Sequence, residues 1–298
     1  YDKKLDNYIS NISKVRKIDE NTVKNKLLNG EYALISPKTA RDLSIVDTLE
    51  DYEDLTNNLN ITDDNSISIQ NYISKVTENN NSNNKIAVIY LDGDIDSVSS
   101  SYGNTNISSD NFKSKLDKAL QIEGLKGIVI RINSGGGSAF DSKKIYDMIV
   151  KLDIPVYVSI GNIAASGGYY ISSAADKIFI ENFGLTGSIG VVTMIPKYVG
   201  TLNKFNVNVN HITRGKYLNI TDPSVELTNE DRLAYMGRLE AVYNEFKNDI
   251  LLKRVNLTPD TLEYAAQGKV WLGMEAKELK LVDEIGGLFD TIDRLQND

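Results

Sequence analysis

Two glycine-rich segments hold the residue types that could do chemistry. Asn133-Ser-Gly-Gly-Gly-Ser138 follows the apolar run Gly127–Ile132, and Gly161-Asn-Ile-Ala-Ala-Ser-Gly-Gly168 follows Pro155–Ile160. Gly135 to Gly137 can bring backbone N–H groups close to a ligand with no Cβ in the way, which is what stabilising an oxyanion requires. Ser166 opens the helical run SGGYYISSAA, where unpaired N–H groups and the positive end of the helix dipole favour developing negative charge. A hydroxyl beside freed amides suits acyl transfer. The same features also suit plainer roles: the glycines a tight turn or a phosphate cradle, the serine a helix cap. A P-loop is disfavoured because no Gly-Lys-Ser/Thr follows the glycines. The G-x-S-x-G nucleophile elbow also fails, since Ala164 occupies the place of its first glycine.

Composition narrows the alternatives. The chain has 298 residues, which predicts about two domains or one large α/β unit. It carries 33 basic and 41 acidic residues, a net charge of −8, which argues against a general nucleic-acid binder. There is no cysteine, so disulfides, thiolate metal sites and cysteine nucleophiles are excluded. The single histidine, His211, excludes a histidine-rich metal cage and reads as a structural residue near a strand end. No cofactor and no metal are expected. No stretch reaches the ~18 uninterrupted apolar residues of a membrane span, and no signal peptide opens the chain. Its first residue is Tyr1, so the expectation is a fragment or a processed form.

The elements that must position the two segments alternate. Ile86–Leu91, Gly127–Ile132 and Pro155–Ile160 read as short buried parallel strands, and Ser109–Ile122 and Ser138–Leu152 read as the helices between them. Such alternation implies right-handed crossovers and a parallel sheet covered by helices, with the loops at the strands' carboxyl ends converging on one edge. The two glycine-rich segments should therefore face each other. Lys177–Ile180, Val191–Met194 and Val207–Ile212 offer further strands. Thr228 and Asp231 predict the start of a long amphipathic helix running to about Arg254, with Leu233, Met236, Leu239, Val242, Tyr243 and Phe246 on the side that packs on its own sheet or a sister subunit.

An internal repeat sets the domain organisation. Glu20 to Asp47 and Pro259 to Asp283 share a pattern in which Gly30 matches Gly268, Ala40 matches Ala276, Leu43 matches Leu279 and Val46-Asp47 matches Val282-Asp283. The offset is 236 to 238 residues, too long for a solenoid and consistent with a duplicated domain. The expected organisation is a helical tail of a truncated first repeat over 1–50, a linker over 51–84 that includes the polar stretch Glu78 to Asn84, and a serine-bearing domain over 85–298.

Three linked motifs carry a family resemblance: Ile132-Asn-Ser-Gly-Gly-Gly-Ser138, Ala164-Ala-Ser-Gly-Gly-Tyr-Tyr170 and Leu185-Thr-Gly-Ser-Ile-Gly190. From Lys85 onward the chain resembles signal peptide peptidase A (protease IV), the S49 serine peptidases. The resemblance implies an α/β fold of the Clp protease/crotonase type, a parallel sheet with flanking helices. It also implies a Ser-Lys dyad in which a desolvated, neutral lysine takes the serine proton. On that resemblance Ser166 is the nucleophile, and the N–H groups of Gly136, Gly137 and Gly167 are oxyanion-hole candidates. Gly135 stands where the family usually has proline, which should loosen the loop modestly.

The lysine departs from the pattern. In single-domain members it lies in G-x-x-K-x-x-x-x-P; here Gly215 to Pro223 matches, but Leu218 occupies the lysine position. Lys216, two residues earlier, would point to the same side of an extended segment and is a candidate base. Long bacterial members have two such domains, with the serine on the second and the lysine on the first. Shifting Leu218 back by the repeat offset lands about 18 residues before Tyr1. The expectation is a serine endopeptidase that degrades signal peptides or small apolar peptides, with its lysine supplied by an upstream domain. A homo-oligomer is expected, at the extracytoplasmic face of the cell membrane, associated through a segment outside this chain. The alternatives are a catalytically incomplete assembly or binding module, and an acyl-CoA enzyme of the crotonase type.

Overall fold

The computed structural model describes residues 2–33, 35–62, 65–68, 71–72, 83–96, 106–213, 216–217 and 219–298. It divides into two compact units, Tyr1–Ser82 and Asn83–Asp298. Among the described residues the first carries the helices α1 (Asp2–Arg16), α2 (Glu20–Leu28), α3 (Pro37–Asp42) and α4 (Tyr52–Asn58). The last of these lies in the stretch read as linker, and most of Glu78 to Asn84 falls outside the described residues. Among its described residues, Ile9 and Val23 are the buried apolar ones. Asp19, Ser36 and Asp51 cap three of the helices by accepting backbone N–H groups.

The second unit is built on a sheet. Its elements are β1 (Lys85–Asp92), α5 (Ser109–Leu120), β2 (Leu125–Ser134), α6 (Ala139–Val150), β3 (Val156–Ala165), α7 (Gly167–Ser173), β4 (Lys177–Ile180), β5 (Leu185–Gly187), α8 (Val199–Lys204), α9 (Asn229–Lys253), α10 (Pro259–Ala265), β6 (Val270–Leu272), α11 (Gly273–Glu278), β7 (Glu284–Ile285) and α12 (Leu288–Asn297). Five strands lie in the order β1-β2-β3-β4-β7, all parallel. The long strand β3 changes neighbours along its length, pairing β4 over Tyr157–Ile160 and β5 over Ile163–Ala165. Strand β6 then runs antiparallel to β5.

Both faces of the sheet are covered, which is why its strands read as unbroken apolar runs rather than alternating ones. Ile128, Ile130 and Ile132 pack into the larger core with Phe112, Ile145, Tyr169 and Ile171 of the helices. The intervening Val129 packs instead with Tyr157, Phe179 and Leu295, against α12. The helices α5 and α6 start on the serines Ser108 and Ser138, which accept the N–H groups of Asn111 and Asp141. The long helix α9 starts at the capping box of Thr228 and Asp231.

Two expected strands are absent as strands. Val191–Met194 and Val207–Ile212 are irregular, and Val192, Met194 and Ile212 are almost fully exposed. Among the described residues no strand pairs with them, and β-rich composition without a partner makes no sheet. Over the amino half of helix α9, Leu233 and Met236 face outward, so of the two expected packings that half does not lie on its own sheet. Only Phe246, Asp249 and Ile250, near its carboxyl end, are buried.

The sequence repeat recurs as geometry within each unit. After α3, the N–H of Ile45 donates to the carbonyl of Ala40 at 2.9 Å and that of Ser44 to Arg41 at 2.9 Å, with Ser44 at φ +59°. After α11, Leu281 donates to Ala276 at 2.8 Å and Lys280 to Lys277 at 3.0 Å, with Lys280 at φ +62°. Each helix thus ends in the same left-handed cap. Each copy is then latched by an arginine–aspartate pair: Arg16 to Asp47 at 3.0 Å, and Arg254 to Asp283 at 2.6 Å. Asp47 and Asp283 are the repeat's final matched residues, and Arg16 and Arg254 lie 238 residues apart.

One buried polar cluster fixes the helix that follows Ser166. The hydroxyl of Tyr170 donates to Asp249 Oδ2, and that of Tyr146 donates to the Asp249 carbonyl at 2.7 Å. Lys143 pairs with both Asp147 and Asp249, and the Tyr170 ring stacks on Phe246 at 4.2 Å. Burial, reinforced by the charge of Asp249, pushes both phenols well above their usual range, so they act only as donors. Tyr170→Phe removes a bond to a charged acceptor and should cost about 1–3 kcal/mol in urea denaturation, without altering the far-ultraviolet circular dichroism.

Candidate active site

The two glycine-rich segments meet at the carboxyl edge of the sheet. Ser134 ends β2 and pairs in register with Ala164 of β3, two residues before Ser166. The approach is tight at Gly136, where a Cβ would stand 2.8 Å from Ser166 Cβ and 2.9 Å from the amide nitrogen of Gly167. Gly136 and Gly137 also adopt φ of +108° and +145°, so only glycine meets both the conformation and the space.

Ser166 lies between β3 and α7, half-buried, with φ +52° and ψ −119°. That backbone is costly for any residue with a Cβ, by ~1–3 kcal/mol. It is held by bonds on both sides: the Ser166 N–H donates to the Gly187 carbonyl at 2.9 Å, and its carbonyl accepts from Tyr170. The hydroxyl makes no capping bond and has no partner among the described residues. The cap reading of Ser166 therefore does not apply. A strained strand-to-helix turn that presents an unengaged hydroxyl is the geometry of a nucleophile elbow, reached here without its G-x-S-x-G pattern.

The candidate oxyanion donors separate into two groups. The N–H of Gly136 donates to Ser134 Oγ at 3.2 Å, and its carbonyl accepts from Ile95 at 2.9 Å. Gly137 bridges Ile95, whose carbonyl takes the N–H of Ser138 at 2.7 Å. Among the described residues no acceptor takes the N–H of Gly137 or of Gly167. The nitrogen of Gly137 lies 3.5 Å from where a Cβ on Gly167 would stand, so two unspent donors flank Ser166. Gly135 has nothing within 4 Å of its Cβ position, so there is room for a side chain there.

The candidate bases lie apart from this arrangement. Leu218 and Gly215 fall outside the described residues. Lys216 is exposed and pairs with Glu230 at 2.9 Å, near the start of α9, so nothing desolvates its ammonium. Burial lowers the affinity of Lys143 for its proton, but Asp147 and Asp249 together raise it above its usual range, so that lysine stays charged. His211 sits 3.4 Å from Asp222 and 3.3 Å from Ser224 Oγ, a cluster on the loop that follows α8.

An apolar cavity of about 410 Å³ is lined by Gly190, Val191, Val192, Met236, Leu239 and Tyr243. It begins three residues beyond Gly187, whose carbonyl holds Ser166. Gly187, Ser188 and Ile95 were not singled out in the sequence. Only the Leu185–Gly190 motif pointed near them, and the bridge from Ile95 had no local signal.

Comparisons with known proteins converge on this region. The sequence model described as Peptidase family S49 matches residues 149–298, and that described as Clp protease matches residues 104–182. Protease 4 of Haemophilus influenzae is 34% identical over 238 residues, covering 78% of this chain and 38% of that protein. A protein named putative signal peptide peptidase SppA, of Enterococcus faecium, is 32% identical, covering 73% of this chain and 64% of the relative. Protease 4 of Salmonella typhi is 29% identical over 96% of this chain and 48% of that protein. The chain thus spans between about a third and two-thirds of the length of these relatives. With its largely parallel sheet and flanking helices, the fold is α/β of the Clp protease/crotonase type.

The strain at Ser166 gives a measurable contrast. Ser166→Gly should be more stable than Ser166→Ala by about 1 kcal/mol in chemical denaturation, because only glycine relaxes at that backbone. Equal stabilities would mean that the turn is not strained.

Proposed function

Because the chain belongs to peptidase family S49, we propose that it is the serine-bearing part of a serine endopeptidase that cleaves apolar peptides such as signal peptides. The observation that carries this reading is the unengaged Ser166 hydroxyl on a strained turn, flanked by the unspent N–H groups of Gly137 and Gly167. Ser166 Oγ attacks the scissile carbonyl carbon and yields its proton to a base. The carbonyl oxygen, now negative, accepts from the two amides, each worth about 3 kcal/mol of transition-state stabilisation. Collapse expels the amine, which takes the proton from the base, and water then releases the acyl group from Ser166.

The base in this proposal is a lysine of the first repeat, upstream of the segment described. Three observations support it. The cap and arginine–aspartate latch occur in both units, as a duplicated domain requires. Almost the whole chain aligns with about half of Protease 4 of Salmonella typhi. Lys216 is solvated and engaged with Glu230, which suits a surface pair better than a neutral base. That last point equally favours a non-catalytic assembly module, and the apolar residues exposed on the amino half of α9 suit a homo-oligomer under either reading.

A fluorophosphonate probe separates the two. The chain extended through the first repeat should be labelled, Ser166→Ala should abolish the labelling, and Lys216→Ala should leave it within about twofold. Labelling unaffected by Ser166→Ala would overturn the assignment, and failure of the extended chain to react would favour the scaffold.

An apolar substrate is supported by the cavity that Gly190, Val191 and Val192 help to line. Met236, Leu239 and Val192 all line it, and among the described residues no strand pairs with Val191–Met194, whose backbone could therefore bond an extended peptide. Met236→Asp in the extended chain should lower kcat/KM for apolar peptides by about tenfold or more while leaving probe labelling of Ser166 intact.

A further inference from the structure

We propose that the cleft between the carboxyl ends of α9 and α11 binds a phosphate-type oxyanion. The cleft has a volume of about 410 Å³ and is lined by Lys253, Arg254, Asn256, Lys277 and Lys280, with the carboxylates of Asp176 and Asp283. Asp176 and Asp283 immediately precede β4 and β7, so the cleft lies at the amino ends of these parallel strands, away from the edge that holds Ser166. On a chain of net charge −8 it gathers four cations against two carboxylates.

Both carboxylates are committed. Asp176 accepts the N–H of Val156 at 2.9 Å and pairs with Lys253 at 3.2 Å. Asp283 accepts the N–H of Ile178 at 2.7 Å and pairs with Arg254 at 2.6 Å. Lys277 and Lys280 are exposed and have no carboxylate partner among the described residues.

Arg254 makes the cleft more than a surface patch. Its side chain is only 6% exposed, yet among the described residues its Nε–H has no acceptor. The matching arginine of the other repeat is fully engaged: Arg16 donates from Nε to the Ser44 carbonyl at 2.8 Å and from its two terminal nitrogens to Asp47 at 3.1 and 3.0 Å. The same latch therefore closes on itself once and leaves donor capacity over once. It is left over where Lys277 and Lys280 replace Arg41 and Ser44 of the first copy. A buried guanidinium with unspent donors, flanked by ammonium groups, is the set that recognises a tetrahedral oxyanion. The carbonyls ending α9 oppose an anion, so the site depends on the lysine pair.

Isothermal calorimetry with inorganic phosphate and pyrophosphate tests this, on the chain carrying Ser166→Ala so that the outcome is independent of peptidase activity. Saturable binding is expected, weakened at least tenfold in the Lys277→Ala/Lys280→Ala double variant and weakened by added salt. Both substitutions lie on the surface, and unchanged circular dichroism verifies the fold. No saturable heat with either anion, or an affinity unchanged in the double variant, would overturn the proposal. Vesicles of phosphatidylglycerol and of phosphatidylcholine identify the source. Retention on the anionic vesicles alone, lost in the double variant, assigns a lipid headgroup, and binding of phosphate without such retention assigns a soluble anion.

Discussion

The site depends on one backbone conformation. Ser166 occupies a φ that its Cβ disfavours, and the surroundings enforce it: Gly187 takes its N–H, Tyr170 bonds to its carbonyl, and Gly136 packs against its Cβ. Gly187 and Gly136 come from other parts of the chain, so the turn depends on tertiary structure as well as on the helix it opens. The rest of the second unit can be understood as what keeps those elements in place.

Strand β3 shows how. It pairs with β4 near its start and with β5 near its end, so the chain beyond Gly161 diverges from the main sheet and brings Gly187 beneath Ser166. Helix α7 then turns back into the core, where Tyr169 is fully buried and donates to the Leu281 carbonyl at 2.8 Å. Tyr170 reaches Asp249 of α9. A seven-residue helix has little stability of its own, and here two phenolic bonds and its packed core face supply the difference.

The sheet was legible in the sequence because strands buried on both faces leave continuous apolar runs, as at Gly127–Ile132. Helix starts were legible because Ser108, Ser138 and Thr228 are caps in type and in geometry. The meeting of the two glycine segments followed from parallel topology. What stayed hidden was long-range: the bridge from Ile95 to Gly137, the change of partner along β3, and which glycine amides remain free once Ser134 has taken one. Val191–Met194 and Val207–Ile212 misled because β-rich composition reports a preference, whereas a strand needs a neighbour. The lysine position at Leu218 lies outside the described residues.

The duplicated tail also bears on biosynthesis. Its first copy emerges from the ribosome well over two hundred residues before the second, and segments that share a cap and a latch are natural rivals for one docking place. The copies differ in both length and side chains. The spacing from Gly30 to Ala40 exceeds that from Gly268 to Ala276 by two residues, and Val15 and Ser44 stand where the second copy has Lys253 and Lys280.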